Sequence, residues 1–295
     1  MSAPEVSQKD TIVANAIREI SHIATLPEVT LKIIKIVEDP KSTAQDLHKV
    51  VSNDPALCSR ILKVVNSSFY GLPGQIGSIN RAIVMLGLNA VKNIAIAASM
   101  SKLFKGGDLT PQFSAKHLWT HSVGVAAGAK LMADTLKIGL SDEAFLAGLM
   151  HDVGVMVEFQ LDRNKLIEVM QKTMPDKDGV PGADMLEVET EVFGANHQDF
   201  GAALCERWKF PKALSFVTGY HHRPMELSSD ARTLSCVVNI ADRLASEVMS
   251  GYRLDLPTLT YDPAVLDHLG LSSDKLVEVR AKVAEVIKVA PDFGS

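Results

Sequence analysis

The sequence predicts an all-α protein: a multi-helical bundle with an additional helical sub-domain on its N-terminal side. Three observations lead there. Apolar residues recur at three- and four-residue spacing almost throughout the 295 residues, the period of a helix that buries one face. Alternating apolar and polar runs, the mark of a half-buried strand, are nearly absent. Cap and breaker residues then divide the chain into about a dozen helical segments.

Residues 1–10 are polar, lack the apolar run of a signal peptide, and read as a flexible N-terminus. Thr11 to Ala24 follows as an amphipathic helix with Ile12, Ala16, Ile20 and Ile23 on one stripe. Leu26-Pro27 stops it, because proline cannot continue the hydrogen-bond ladder. Val29 to Val37 is a second helix, ended by Asp39-Pro40. Ser42-Thr43-Ala44-Gln45 has the capping-box pattern and opens a helix to about Ser52. Pro55, at a first-turn position, starts the next one. It runs to Ser67 with Leu57, Ile61, Leu62, Val64 and Val65 inward. Tyr70-Gly71-Leu72-Pro73-Gly74 is a loop. Ser78 caps a helix to Leu86, Gly87 interrupts it, and Leu88 to Phe104 is rich in small residues (Ala95, Ala97, Ala98, Ser99) that permit close helix approach.

Gly106-Gly107 and Pro111 mark a boundary. Residues 11–110 are therefore expected to form the N-terminal sub-domain, 111–250 a second helical sub-domain, and 251–295 a C-terminal helical extension. Pro111 to Lys137 is the longest candidate helix and carries His117, Trp119 and His121. Ser141-Asp142-Glu143 opens the helix holding His151-Asp152, with acids where the helix dipole favours them. Lys172 to Gly182 is a loop. Short helices run Met185 to Phe193, His197 to Trp208 and Pro211 to Tyr220. Thr233 to Met249 carries Asp242, and Ser272 to Val289 is a last amphipathic helix.

Composition narrows the function classes. Apolar content of 46% with 22% charged residues is that of an ordinary globular chain. A net charge of −5, with no cationic cluster denser than Lys102 and Lys105, argues against a nucleic-acid footprint. Cys58, Cys205 and Cys236 are isolated and odd in number, so buried free thiols in a reducing compartment are expected. The longest apolar run, around Ile94 to Met100, is too short to span a bilayer. A cytoplasmic protein without membrane contact is the expectation.

Chemistry concentrates in Ala144 to Gly154, where an apolar helical run delivers His151 and Asp152 side by side. A buried ionised Asp is costly unless a metal or a hydrogen-bonded His compensates it. His121 before the pair, and His197, His221, His222 and Asp242 after it, are candidates for that role. Imidazole nitrogens with carboxylate oxygens suit iron, manganese, zinc or magnesium. His121, His151, Asp152 and Asp242 can supply one ion; His197, His221 and His222 extend the set to a second ion or a ligand pocket. Each has a plainer reading: His197 beside a helix cap, His221-His222 as cations at a helix C-terminus, and Asp242 as a partner for Arg243 or a histidine.

This order of His, His-Asp and Asp on separate helices resembles the HD superfamily of metal-dependent phosphohydrolases. The fuller pattern resembles one branch, the HDOD (HD-related output domain) proteins of bacterial signalling. Leu26-Pro27, Asp54-Pro55-Ala56-Leu57, Arg60-Ile61-Leu62, Asn66-Ser67, Phe69-Tyr70-Gly71, Ser78-Ile79, Ala82-Ile83 and Leu86-Gly87 carry it in the first half. His121, Ala144 to Gly154, Glu191 to Gly194, His197, Gly201, Leu204, Trp208, Pro211 and His221-His222 carry it in the second.

The resemblance implies a regulatory or interaction module with an HD-like, metal-binding pocket and little catalysis. Its expected partners are signalling proteins or a small phosphorylated ligand. The competing expectation is a metal-dependent phosphohydrolase using the same site. Compared with the active cyclic-dinucleotide phosphodiesterase branch, Val155 stands where a lysine follows HD-x-Gly, and Gly219-Tyr220 leads into His221 instead of proline. Loss of one positioned cation can cost several kcal/mol of transition-state stabilisation. No receiver, kinase or diguanylate cyclase segment is expected, so the input would come from another polypeptide or a ligand. Asn66, Ser67, Tyr70 and Gly71 are expected either to cap a helix and pin a loop or to face a partner.

Overall fold

Caps written into the sequence set where the helices begin. The computed structural model describes residues 7–20, 28–39, 41–104, 107–111, 113–248 and 252–290. Helix α1 is Gln8–Glu19, three residues earlier than Thr11, because Ser7 and Asp10 form a reciprocal capping box. Residues 8–10 are thus helical. The capping box of α3 (Ala44–Val51) is likewise Thr43 with Asp46, not Ser42 with Gln45. Between them lies α2 (Glu28–Glu38). Asp54 caps α4 (Pro55–Val65) by accepting from the Leu57 amide, with Pro55 in the first turn. Ile23, Ala24, Leu26-Pro27, Pro40, Lys105, Gly106 and Met249 lie outside the described residues.

Ser78 caps α5 (Ile79–Leu86) and Gly87, at φ +88°, turns the chain into α6 (Leu88–Met100). A 3₁₀ turn, Ser101–Leu103, replaces the expected end of that helix. A two-stranded antiparallel ribbon then pairs β1 (Asp108–Thr110) with β2 (Phe113–Ser114), where helix was expected from Pro111. Helix α7 starts at Ala115, once the Ser114 hydroxyl accepts from the His117 amide, and runs to Thr135.

The rest of the chain is α8 (Ser141–Met150), α9 (Val153–Leu161), α10 (Arg163–Lys172), α11 (Met185–Phe193), α12 (His197–Arg207), α13 (Lys212–Tyr220), α14 (Thr233–Val248), α15 (Pro263–Leu269) and α16 (Ser273–Lys288). The all-α expectation holds. Residues 141–161 are long and apolar enough to cross a membrane by length and composition, yet 89% of their apolar 18-residue window is buried inside the bundle.

Helix α7 is the axis of the second half, packed by α8, α14 and α16. In α8, a Cβ on Gly148 would stand 2.9 Å from the Ala126 backbone, so α7 and α8 approach as closely as backbones allow. Helix α6 joins the halves: it packs on α2, α4 and α5 and also on α8. Asn93 of α6 donates to the Asp142 carbonyl at 2.7 Å across that seam.

Helix α1 departs from the expected division. Its buried Val13, Ala16 and Ile17 lie against α12 and α9 in the second half, and Lys9 pairs with Asp199 at 2.7 Å. A stripe of apolar residues goes to whichever face covers it, and sequence position does not choose that face. Cys205 and Cys236 are buried free thiols as expected, whereas Cys58 is half-buried.

Candidate metal centre

His151 and Asp152 do not sit within one helix. They occupy the break between α8 and α9, His151 closing the first and Asp152 at the N-cap position of the second. The Asp152 carboxylate makes no cap hydrogen bond, which leaves both of its oxygens for the interior. Gly154 completes the junction. A Cβ there would stand 1.8 Å from the His197 carbonyl oxygen, so only glycine lets α9 meet the start of α12.

The candidate residues converge. His121 of α7 has Nε2 3.0 Å from Asp242 Oδ1 of α14. His151 Nε2 lies 3.1 Å from Asp152 Oδ2 and 3.9 Å from Asp242 Oδ1. Asp152 Oδ1 faces His221 Nε2 at 3.3 Å and His197 Nε2 at 3.8 Å. His197 and His222 meet at 3.2 Å between their Nε2 atoms. The residues expected from the sequence give two sets of possible ligand atoms, each within 4.8 Å of one another: His121, His151 and Asp242, and Asp152, His197, His221 and His222. Asp152 touches both.

Neighbouring groups orient the rings. A backbone carbonyl only accepts, so His151 Nδ1 donates to the Gly148 carbonyl at 2.7 Å and His221 Nδ1 to the Val217 carbonyl at 3.2 Å. Glu189 of α11 accepts from His197 Nδ1 at 2.8 Å and from its amide at 3.0 Å. In all three rings Nε2 is left for the centre, the arrangement by which outer groups set a metal-ligating histidine. Asn239 donates to the His221 carbonyl at 2.6 Å, and Gln198 accepts from the His222 amide at 3.2 Å.

The electrostatics are those of a closed polar pocket. Burial works against a charged His151, but Asp152 and Asp242 outweigh it and raise its pKa to about 9. Burial and the Glu189 carboxylate compete in the same way at His197, also raised to about 9. For Asp152 the penalty of burial is overcome by His151 and His221, which hold the carboxyl well below its usual range. Burial holds His221 and His222 below the ordinary histidine value, which favours neutral rings at the C-terminal end of α13.

The residues fit divalent ions. Asp242 Oδ2 is buried without a hydrogen bond, and His151 Nε2, His221 Nε2 and the Asp152 oxygens have only one another, at 3.1 and 3.3 Å and outside good hydrogen-bond geometry. Each buried polar atom left in that state costs about 1–3 kcal/mol, and an ion that takes these lone pairs removes the cost. Nitrogen and carboxylate donors of this kind suit the ions expected from the sequence.

Three acids that sequence reading passed over belong here. Glu189 orients His197. Glu158 of α9 is fully buried beside Glu189; burial and the Glu189 charge push its carboxyl well above its usual range. Asp255, in the segment before α15, is 4% exposed and neither of its oxygens makes a hydrogen bond. A signal existed for it: an acid between Leu254 and Leu256, both buried. The other signature residues hold the chain locally: Asn66 and Gly71 are exposed, and Ser67 and Tyr70 are half-buried. Asn66 donates to the Leu62 and Ile76 carbonyls and accepts from the Ile76 amide, clasping the loop that follows α4. Ser67 donates to the Val64 carbonyl, Tyr70 stacks edge-on against Phe69 at 4.9 Å, and Gly71 adopts φ +55°. Val155 is in the core of α9.

A helical bundle with a buried His/Asp centre on the junctions of its helices defines the class, and comparison places the chain within it. The HDOD domain family model matches residues 23–224, and the chain belongs to that family. Asp242 and Asp255 lie beyond the matched stretch. Several solved structures share the fold, including two whose names point in different directions. One is a Marinobacter aquaeolei VT8 protein named "putative signal transduction protein": 21% identical, TM-score 0.74, covering 98% of this chain and 66% of that one. The other is a Shewanella amazonensis SB2B protein named "putative phosphohydrolase": 21% identical, TM-score 0.67, covering 95% and 91%. An uncharacterized Treponema pallidum (strain Nichols) protein is 24% identical over 240 residues, which are 81% of this chain. The chain spans 45% of the length of that relative.

Proposed function

We propose that this chain is a signalling output module whose HD-like centre holds divalent metal as part of its architecture, with little turnover. One observation carries the reading. The donors converge as a metal site requires, yet His121, His151, Asp152, His197, His221 and Asp242 are all at most 2% exposed. A phosphate ester needs direct access to an ion. The cavity beside the centre, about 370 Å³, is lined by His222, Asn239, Arg243 and Asp262 and touches the donor set through His222. Its Arg243 is engaged by the Thr260 and Asn239 carbonyls, which compete with any phosphate for that cation.

An ion held here would supply Lewis acidity toward a phosphoryl oxygen. The chain's own residues hold and screen the site: Glu189, Gly148 and Val217 set the imidazoles, and the packing of α7, α8, α9 and α12 excludes water. The partner would be a signalling protein or a phosphorylated ligand whose binding reads the conformation that the centre stabilises. The family and the Marinobacter neighbour's name support this reading, and the Shewanella neighbour's name supports the competing hydrolase.

Metal analysis of protein purified without chelator, with Asp152→Ala alongside, separates the two. Stoichiometric metal in the wild type, its loss in the variant, and no hydrolysis of a generic phosphodiester is the expected result. Metal-dependent hydrolysis abolished in Asp152→Ala would establish an enzyme instead. Absence of metal from the wild type would overturn the metal-centre reading.

A further inference from the structure

We infer that Asp255 is an additional metal ligand, delivered by the segment between α14 and α15, where the two halves of the donor set meet. The inference rests on the metal reading proposed above and adds a residue that neither the HD pattern nor the family match includes.

Position is the first argument. Asp255 Oδ2 lies 3.4 Å from His222 Nε2, and ligand atoms of His222, Asp242 and Asp255 fall within 4.8 Å of one another. His222 belongs with Asp152, His197 and His221, whereas Asp242 belongs with His121 and His151. A carboxylate in reach of both sets is placed to serve both, as Asp152 is. The two oxygens of one carboxylate can each donate to a different ion.

The surroundings supply the second argument. Tyr252, Leu254 and Leu256 are each at most 2% exposed, so the segment is anchored on both sides of Asp255. The Tyr252 ring lies 5.6 Å from that of His121. This anchoring holds an acid inside, with neither oxygen hydrogen-bonded and only His222 in ion-pair range of one, beside Asp152 and Asp242. Carboxylates gathered in a dry interior repel one another, and a divalent cation between them is the usual compensation. A purely structural segment would bury an apolar residue at this point.

The test uses the full chain, stripped with chelator, dialysed and titrated with Mn²⁺ by calorimetry, with the electron paramagnetic resonance spectrum of the bound ion recorded. Asp255→Asn keeps the side-chain shape and Asp255→Ala removes it; Asp274→Asn, on the exposed first turn of α16, is the control. Both Asp255 variants are expected to weaken Mn²⁺ binding at least tenfold and to change the spectrum, with helicity by circular dichroism unchanged and the control like wild type. If Asp255→Ala fails to fold, Asp255→Asn decides alone. Wild-type affinity and spectrum in the Asp255 variants, with binding lost in Asp152→Ala, would overturn the inference and leave the metal reading standing. No Mn²⁺ bound by the wild type would overturn both.

Discussion

His197 is held at its Nδ1 and its amide by one carboxylate, Glu189, so that its Nε2 can face only inward. In the metal-free protein that ring and His151 are both charged near neutrality, with pKa values raised to about 9. A raised folded-state value contributes stability that is complete below the unfolded histidine value, near 6.5, and is lost as pH rises through about 9. Glu158 and Asp255, whose carboxyls are pushed above their usual range, add to the fall with rising pH. Metal binding needs both imidazoles neutral, so protons compete with the ion. Stabilisation by Mn²⁺, read as the difference in Tm with and without chelator, should therefore be larger at pH 9 than at pH 6. Equal differences at the two pH values would contradict this assignment of the charges.

Helices meet at the site through their ends, and the meeting is controlled by glycine. Gly154 has no room for a methyl group, since the His197 carbonyl oxygen would be 1.8 Å from it. Gly154→Ala must push α9 and α12 apart, at a cost of about 3 kcal/mol or more. It should weaken metal binding too, because Asp152 rides on α9 and His197 on α12. Gly77→Ala, with nothing within 4 Å and an ordinary backbone, should change stability by less than about 0.5 kcal/mol. Urea unfolding of the two variants checks the contrast, and equal midpoints would refute it. At the other junction, after α4, the Asn66 clasp does by hydrogen bonds what Gly154 does by space.

The halves of the molecule share one continuous core, running from Ile33 and Leu57 through Ile94 and Phe145 to Val283. Helix α1 belongs to the N-terminal stretch of the chain but packs on α12, and α16 returns from the C-terminus to pack on α7 and α14. Such crossing contacts make separate unfolding of two sub-domains unfavourable. Helicity and tryptophan fluorescence should lose their signals in a single coincident transition. Val283 is buried against Gly128 of α7. Val283→Ala should lower that common transition by about 1–3 kcal/mol without splitting it. Two resolved transitions in either protein would show the halves to be independent.

The sequence by itself determined the helical class, most of the helix starts, and the seven His and Asp residues that the fold brings together. These depend on local signals: apolar period, cap residues and the chemistry of His and Asp. It misplaced α1 because an amphipathic stripe says that a face is covered and not by what. It passed over the ribbon at residues 108–114 because paired strands this short leave no alternating run to detect. Glu189 and Glu158 were illegible for a related reason, and Asp255 left only the trace of an acid between two leucines. A lone acid in sequence is ordinarily solvated, and only packing shows that these are buried. The tertiary structure also turned His151-Asp152 from a pair on a helix into a pair at a helix break, both facing the interior. Whether the centre is open or shut was likewise decided in three dimensions, because exposure belongs to the packed surface and to no residue alone.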